Sequence, residues 1–247
     1  MTAAQSKPIT LEICLSSQDY ALAAERAGAD RIELCANLAV GGITPSLEVM
    51  RAVRAAVRIP VFAMIRPRPE NFVYSAEEFA AMRSNIGLAQ NSGMNGIVLG
   101  ILTSSGEVDV ERTGELVRMA HPLPVTFHRA FDEVLDLTAA LEAVIATGAS
   151  RILTSGGQPR AVDASPQLKQ LIDQAGSRIS VMLGSGVNAG NVTQILEQTG
   201  AREVHASLGL SSRALQQTST PQPESAEEDA RHLAEWEGAV RKLKAAL

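Results

Sequence analysis

A chain of 247 residues, 45% hydrophobic and with a net charge of −5, can bury one large core, and its size suits a single α/β barrel of about 250 residues. The acidic balance, with no run of Lys or Arg, argues against a nucleic-acid partner. The first ten residues have no signal-peptide character, and no apolar run approaches the ~18 residues of a membrane span, so no membrane partner is expected.

Two cysteines in so long a chain make no disulfide framework and point to a reduced, cytoplasmic setting. Aromatic residues make up only 3%, so the core is expected to be Ala, Val, Ile and Leu, as helix-on-parallel-sheet packing prefers.

After a flexible N-terminus over residues 1–10, the chain alternates strand and helix. A strand over 11–15 leads to a helix over 18–27, capped by Ser16 or Ser17. Gly28 reads as the left-handed residue that closes this helix. A strand over 31–35 follows, and Pro45-Ser46 opens a helix to about 57. A strand over 61–65 precedes a loop over 66–74 and a helix capped by Ser75, with Glu77 and Glu78 in its first turn, where carboxylates suit the dipole. Next come a strand over 96–102, a helix over 110–120, a strand over 125–128, a helix over 137–147 and a strand over 151–154. A helix over 167–175, a strand over 179–183, a helix over 190–198 and a strand over 203–207 complete the series.

The even-numbered strands are introduced by a glycine that ends the previous helix: Gly28, Gly93, Gly148 and Gly200. Pro60 and Pro124 introduce the third and fifth. Eight strands joined by helices predict a closed (β/α)8 TIM barrel in a single domain over 1–247. An open doubly wound sheet would want a glycine-rich loop after the first strand, and Ser16-Ser17-Gln18-Asp19 is not one. Residues 209–228 are polar, carry prolines and have no period; they read as a mobile loop between the eighth strand and a final helix over 229–247. That helix carries Leu233, Trp236, Val240 and Leu243 at helical spacing.

Side chains alternate along a strand. If Leu11, Ile13, Leu15, Ile32 and Leu34 face the helices, then Glu12, Cys14, Glu33 and Cys35 face the barrel interior. The same phase turns Met64 and Arg66, Thr126 and His128, Met182, and His205 and Ser207 inward. A stability core would show Val, Ile and Leu there. Burying these polar groups is costly without a purpose, and polar residues at the C-terminal strand ends of a barrel usually form its site.

The candidate catalytic residues are therefore Glu12, Glu33, Arg66, His128, Asp132 and His205. Arg66, Arg68, Gly184, Ser185, Gly186 and Ser207 are candidates for holding an anion: Gly184-Ser185-Gly186 offers backbone N–H groups before a helix, as phosphate cradles do. Plainer readings stand beside these. Cys14 and Cys35 can be small buried hydrophobes, Glu12 or Glu33 can pair with Arg66 in a structural ion pair, and His205 can be a hydrogen-bonded core histidine.

Several stretches resemble the CutC family of copper homeostasis proteins: Leu11-Glu12-Ile13-Cys14, residues 29–35 (Ala-Asp-Arg-Ile-Glu-Leu-Cys), Gly41-Gly42-Ile43-Thr44-Pro45-Ser46, Ile65-Arg66-Pro67-Arg68, residues 125–132 (Val-Thr-Phe-His-Arg-Ala-Phe-Asp), residues 152–156 and residues 203–207. The resemblance runs from about residue 10 to 208. It implies a TIM barrel, a cytoplasmic location, copper(I) binding and a homodimer or higher homo-oligomer. The family's recurrent cysteines match Cys14 and Cys35, which become candidate metal ligands. The sequence departs from the family after Leu208.

Two functions follow. One is a protein that binds copper(I), an ion that prefers thiolate and thioether donors. The other is an enzyme acting on a small anionic or phosphorylated metabolite, held by Arg66 and Arg68, with Glu12, Glu33 and His128 moving protons.

Overall fold

The computed structural model describes residues 8–210 and 226–247. The eight strands are β1 Thr10–Leu15, β2 Arg31–Leu34, β3 Val61–Met64, β4 Gly96–Leu99, β5 Val125–Phe127, β6 Arg151–Thr154, β7 Ser180–Leu183 and β8 Glu203–Ala206. All pair in parallel, each with the next, and β8 pairs back onto β1, so the barrel is closed. The helices outside it are α1 Gln18–Arg26, α2 Leu47–Ala56, α3 Ala76–Asn91, α4 Val110–Ala120, α5 Leu137–Thr147, α6 Ser165–Ala175, α7 Val192–Thr199 and α8 Ala226–Ala245. Thr10 already belongs to β1, its N–H donating to Arg202 O, so the N-terminal tail ends before residue 10. Residues 1–7, and most of the segment expected to be mobile over 209–228, lie outside the described residues. Within that segment, α8 begins at Ala226, earlier than the sequence suggested.

Local chemistry sets the element boundaries. Ser17, rather than Ser16, caps α1 by accepting from Tyr20 N–H. Ser75 and Glu78 form a reciprocal capping box at α3. Gly28, at φ +91°, reverses the chain after α1 in a conformation that side chains disfavour. The last helix is fixed to the barrel at its middle and near its C-terminal end. Trp236 Nε1 donates to Ser207 O at 3.1 Å and its ring meets Tyr20 edge-on, while Lys244 Nζ reaches Asp30 Oδ2, which also accepts from Leu11 N–H. Val240 and Leu243 are fully buried beneath it.

Leu11, Ile13, Leu15, Ile32 and Leu34 are wholly buried against the helices. The opposite faces fill the barrel in layers drawn from alternate strands. Near its floor, Glu12 takes Arg31 Nε in an ion pair; Arg31 Nη2 reaches Glu203 at 2.6 Å, and Arg151 Nε reaches Glu203 at 2.5 Å. Ser180 Oγ also donates to Glu203. The Phe62 ring lies between Arg31 and Arg151, with guanidinium carbons 5.1 and 5.7 Å from its centroid. It fills the space above Gly96, where a Cβ would meet the ring at 2.5 Å. The ion pair expected between Arg66 and a buried carboxylate is not formed. Arg31 is the first residue of β2, directly opposite Glu12, and reaches that carboxylate first.

Candidate metal and anion site at the barrel mouth

Above this floor the interior opens at the C-terminal ends of the strands into a cavity of about 980 Å³. Its deep wall carries Cys14, Glu33, Met64, Arg66, His128 and His205. Ser185, Gly186, Ser207 and Asp132 lie on its rim. Glu12, Cys35 and Gly184 do not line it; Glu12 sits one layer down, linked to the cavity through His205.

The two thiols belong to neighbouring strands. Cys14 lies in β1 and Cys35 directly after β2, and their sulfurs are 3.7 Å apart. Cys35 Sγ also points to Glu33 Oε2 at 3.5 Å, and the atoms of Cys14, Cys35 and Glu33 that could act as ligands all lie within 4.8 Å of one another. The hydrogen bond with Cys35, burial and the nearby Glu33 carboxyl push the Cys14 thiol well up. For Cys35 the bond from Cys14 pulls down, while burial and the Glu33 and Glu12 carboxylates push harder and leave it at about 11. Both sulfurs are thiols at neutral pH.

His205 joins the two carboxylates. Its Nδ1 is 2.8 Å from Glu12 Oε1 and its Nε2 is 3.8 Å from Glu33 Oε2. Burial works against the charged ring, but Glu33, the Cys14 thiol and Glu12 outweigh it and hold His205 protonated well above its usual range. Burial likewise disfavours ionised Glu12, yet Arg31 and His205 bring it down to about 2. Glu33 has no guanidinium in contact among the described residues, only the more distant His205. Burial raises its pKa against the opposing pull of His205, and its Oε1 accepts from nothing among the described residues.

His128 and Arg66 form the opposite wall. His128 Nδ1 accepts from Ala130 N–H at 3.2 Å. Burial, and then the charge of Arg66, lower its pKa to about 3, so the ring is neutral. Gly100 makes room for it, since a Cβ there would meet the imidazole at 2.6 Å. Arg66 donates to Val40 O, Gly42 O and Glu70 O, each at 3.0 Å, and packs over Phe72. The Gly41-Gly42 pair, at φ +84° and +85°, forms the turn that brings two of those carbonyls to it.

The other predicted residues serve different ends. Asp132 accepts from Arg129 Nε, Thr154 Oγ1, Ser155 N and Oγ, and Gly157 N, so its carboxylate ties the segment after β5 to the end of β6. Arg68 is outside the cavity wall, held by Glu78 and by Pro69, Asn71 and Val73 carbonyls. Gly186 O accepts from the Asn188 and Asn191 side chains, and α7 starts only at Val192, so the glycine turn does not run straight into a helix N-terminus. Sequence reasoning missed Arg31 and Arg151 of the floor network and Leu153, which lines the cavity. Arg31 shares the phase of Glu33 and Cys35, and that was the available signal.

These features define a closed parallel (β/α)8 barrel with paired thiols and a buried carboxylate–histidine cluster at its mouth. The model of the CutC family matches residues 9–210, and the chain belongs to that family. It is 50% identical over 197 residues to the copper homeostasis protein cutC homolog of Mus musculus, covering 80% of this chain and 72% of the mouse protein. The human homolog of the same name is 49% identical over the same shares. A crystal structure described as copper homeostasis protein CutC of Streptococcus agalactiae superposes with a TM-score of 0.77 at 35% identity, over 80% of this chain and 97% of that one. More distant likenesses, such as thiamine phosphate pyrophosphorylase of Pyrococcus furiosus at 12% identity and a TM-score of 0.59, share the barrel alone.

Proposed function

We propose that this chain is a cytoplasmic copper homeostasis protein that binds copper(I) between Cys14 and Cys35. The observation that carries the reading is the 3.7 Å separation of the two sulfurs, which suits one ion held by two metal–sulfur bonds of about 2.3 Å each. Copper(I) favours soft donors in low coordination, and two thiols with the thioether of Met64 on the same wall offer them. Glu33, whose Oε2 lies 3.5 Å from Cys35 Sγ, supplies charge nearby. The names of the mouse and human relatives agree with this role. Copper(I) is cargo here, and the chain's own part is to shed two thiol protons and keep water away from the bound ion.

That deprotonation gives the reading a pH signature. The thiols are protonated at neutral pH, so loading releases protons and the apparent affinity rises with pH. The test is a copper(I) titration against a competing chelator at about pH 6.5 and about pH 8. The wild type should take up one equivalent, more tightly at the higher pH, and the Cys14→Ser/Cys35→Ser variant should lose it. Equal affinity in the two proteins would reject the thiol site.

A further inference from the structure

We propose that the barrel mouth contains a second site, distinct from the thiols, in which Arg66 and His128 grip a small oxyanion: the carboxylate or phosphoryl group of a small metabolite.

The first observation is an uncompensated charge. Arg66 is 6% exposed, yet among the described residues no carboxylate forms an ion pair with it. Its guanidinium meets the neutral carbonyls of Val40, Gly42 and Glu70 and the face of Phe72, and its Nε donates to nothing among the described residues. Tyr74 turns its hydroxyl towards the same guanidinium, outside hydrogen-bonding geometry. Glu133, the acidic wall residue that feels Arg66, makes no ion pair with it. A buried guanidinium is ordinarily matched by an anion, because desolvating it alone is costly. Arg31, the comparably buried guanidinium of the floor, has such partners in Glu12 and Glu203.

The second observation is independent and lies on another strand. His128 is 4% exposed, and its Nδ1 is already an acceptor for Ala130 N–H. The proton of the neutral ring therefore sits on Nε2, which has no acceptor among the described residues. Buried donors are rarely left unmade. Arg66 and His128 pack on the same Phe72 ring, 4.9 and 4.8 Å from its centroid, and both line the cavity. A forked cation beside a neutral N–H donor, in a concave wall, is the donor set for an oxyanion. It also gives a use to Arg66 of the Ile65-Arg66-Pro67-Arg68 stretch, whose guanidinium is held by the carbonyls of the Gly41-Gly42 turn and which a thiol metal site does not need.

The test uses the full chain, labelled with ¹⁵N and titrated separately with inorganic phosphate, malonate and phosphoglycolate. Calorimetry reads binding, and the His128 Nε2 resonance reads contact. At least one probe should bind saturably and shift that resonance; phosphate against malonate tells which oxyanion is preferred. Arg66→Lys and His128→Asn should each weaken binding about tenfold or more, and Cys14→Ser/Cys35→Ser should leave it intact, which separates this site from the copper reading. Should either wall variant fail to fold, the wild-type Nε2 shift alone decides. No saturable binding by any probe, or binding that leaves Nε2 unmoved, overturns the proposal.

Discussion

The floor and the mouth of the barrel are both rich in buried charge, yet only the floor is electrostatically complete. Below, Glu12, Arg31, Glu203 and Arg151 run as a chain of opposite charges with every carboxylate in contact with a guanidinium. Above, Glu33 Oε1, Arg66 Nε and His128 Nε2 each lack a partner among the described residues. The difference separates two uses of burial. A satisfied network locks strands together, whereas orphaned groups in a cavity wall raise the free energy of the empty protein and lower that of a complex able to match them.

The sharpest way to break this comparison is to remove the central cation of the floor. Arg31→Met leaves Glu12 fully buried and short of its main partner, and should cost about 3–5 kcal/mol in denaturant unfolding at neutral pH. A loss below about 1 kcal/mol would show that the floor network is not what holds the strands.

Acid titration reads the mouth. His128 is buried neutral, with its pKa depressed to about 3, so between that value and the usual ~6.5 the unfolded chain binds a proton that the folded one does not. Stability should fall with falling pH by up to about 1.4 kcal/mol per pH unit below ~6.5, and His128→Asn should flatten that slope. The Glu12 contribution is fully present above its ordinary range and is lost as pH falls towards about 2, so it enters only at lower pH. His205, whose folded pKa is raised, contributes most below ~6.5 and loses that contribution as pH rises through its folded value, so it adds no acid slope. An unchanged acid slope in His128→Asn would mean that the ring is not held neutral.

Close packing belongs to the floor as well. Gly96→Ala drives a methyl into the Phe62 ring and should cost about 1–3 kcal/mol by thermal or denaturant unfolding. The smallest effect is expected at the mouth: Arg66→Met should cost only about 1 kcal/mol, because losing three carbonyl contacts is offset by no longer burying an unmatched charge. If Arg66→Met proved as damaging as Arg31→Met, the contrast between the two halves would collapse.

The strands and helices were legible because glycine or proline punctuates most strand entries and serines cap the first three helices. The inward phase of Glu12, Cys14, Glu33, Cys35, Met64, Arg66, His128 and His205 was legible from alternation. The partners of these residues were not. Which side chain faces Glu12 depends on barrel register, which puts Arg31 on one side of it and His205 on the other. Arg31 and Arg151 stand at the first position of their strands, where an arginine reads as facing solvent. Arg68 follows Pro67 beyond the end of β3, where alternation no longer applies, and Glu78 draws it outward. The separation of the sulfurs likewise required the three-dimensional stagger of β1 against β2.

Phe62, wedged above Gly96 between two guanidinium groups, turns the barrel axis into a cul-de-sac. Whatever reaches the thiols from the mouth must leave by the same doorway. On the proposed copper(I) reading, unloading would be a competition at a shared threshold rather than passage through a conduit. A recipient would then have to approach the face through which a donor delivered the ion, so delivery and withdrawal would exclude each other in time.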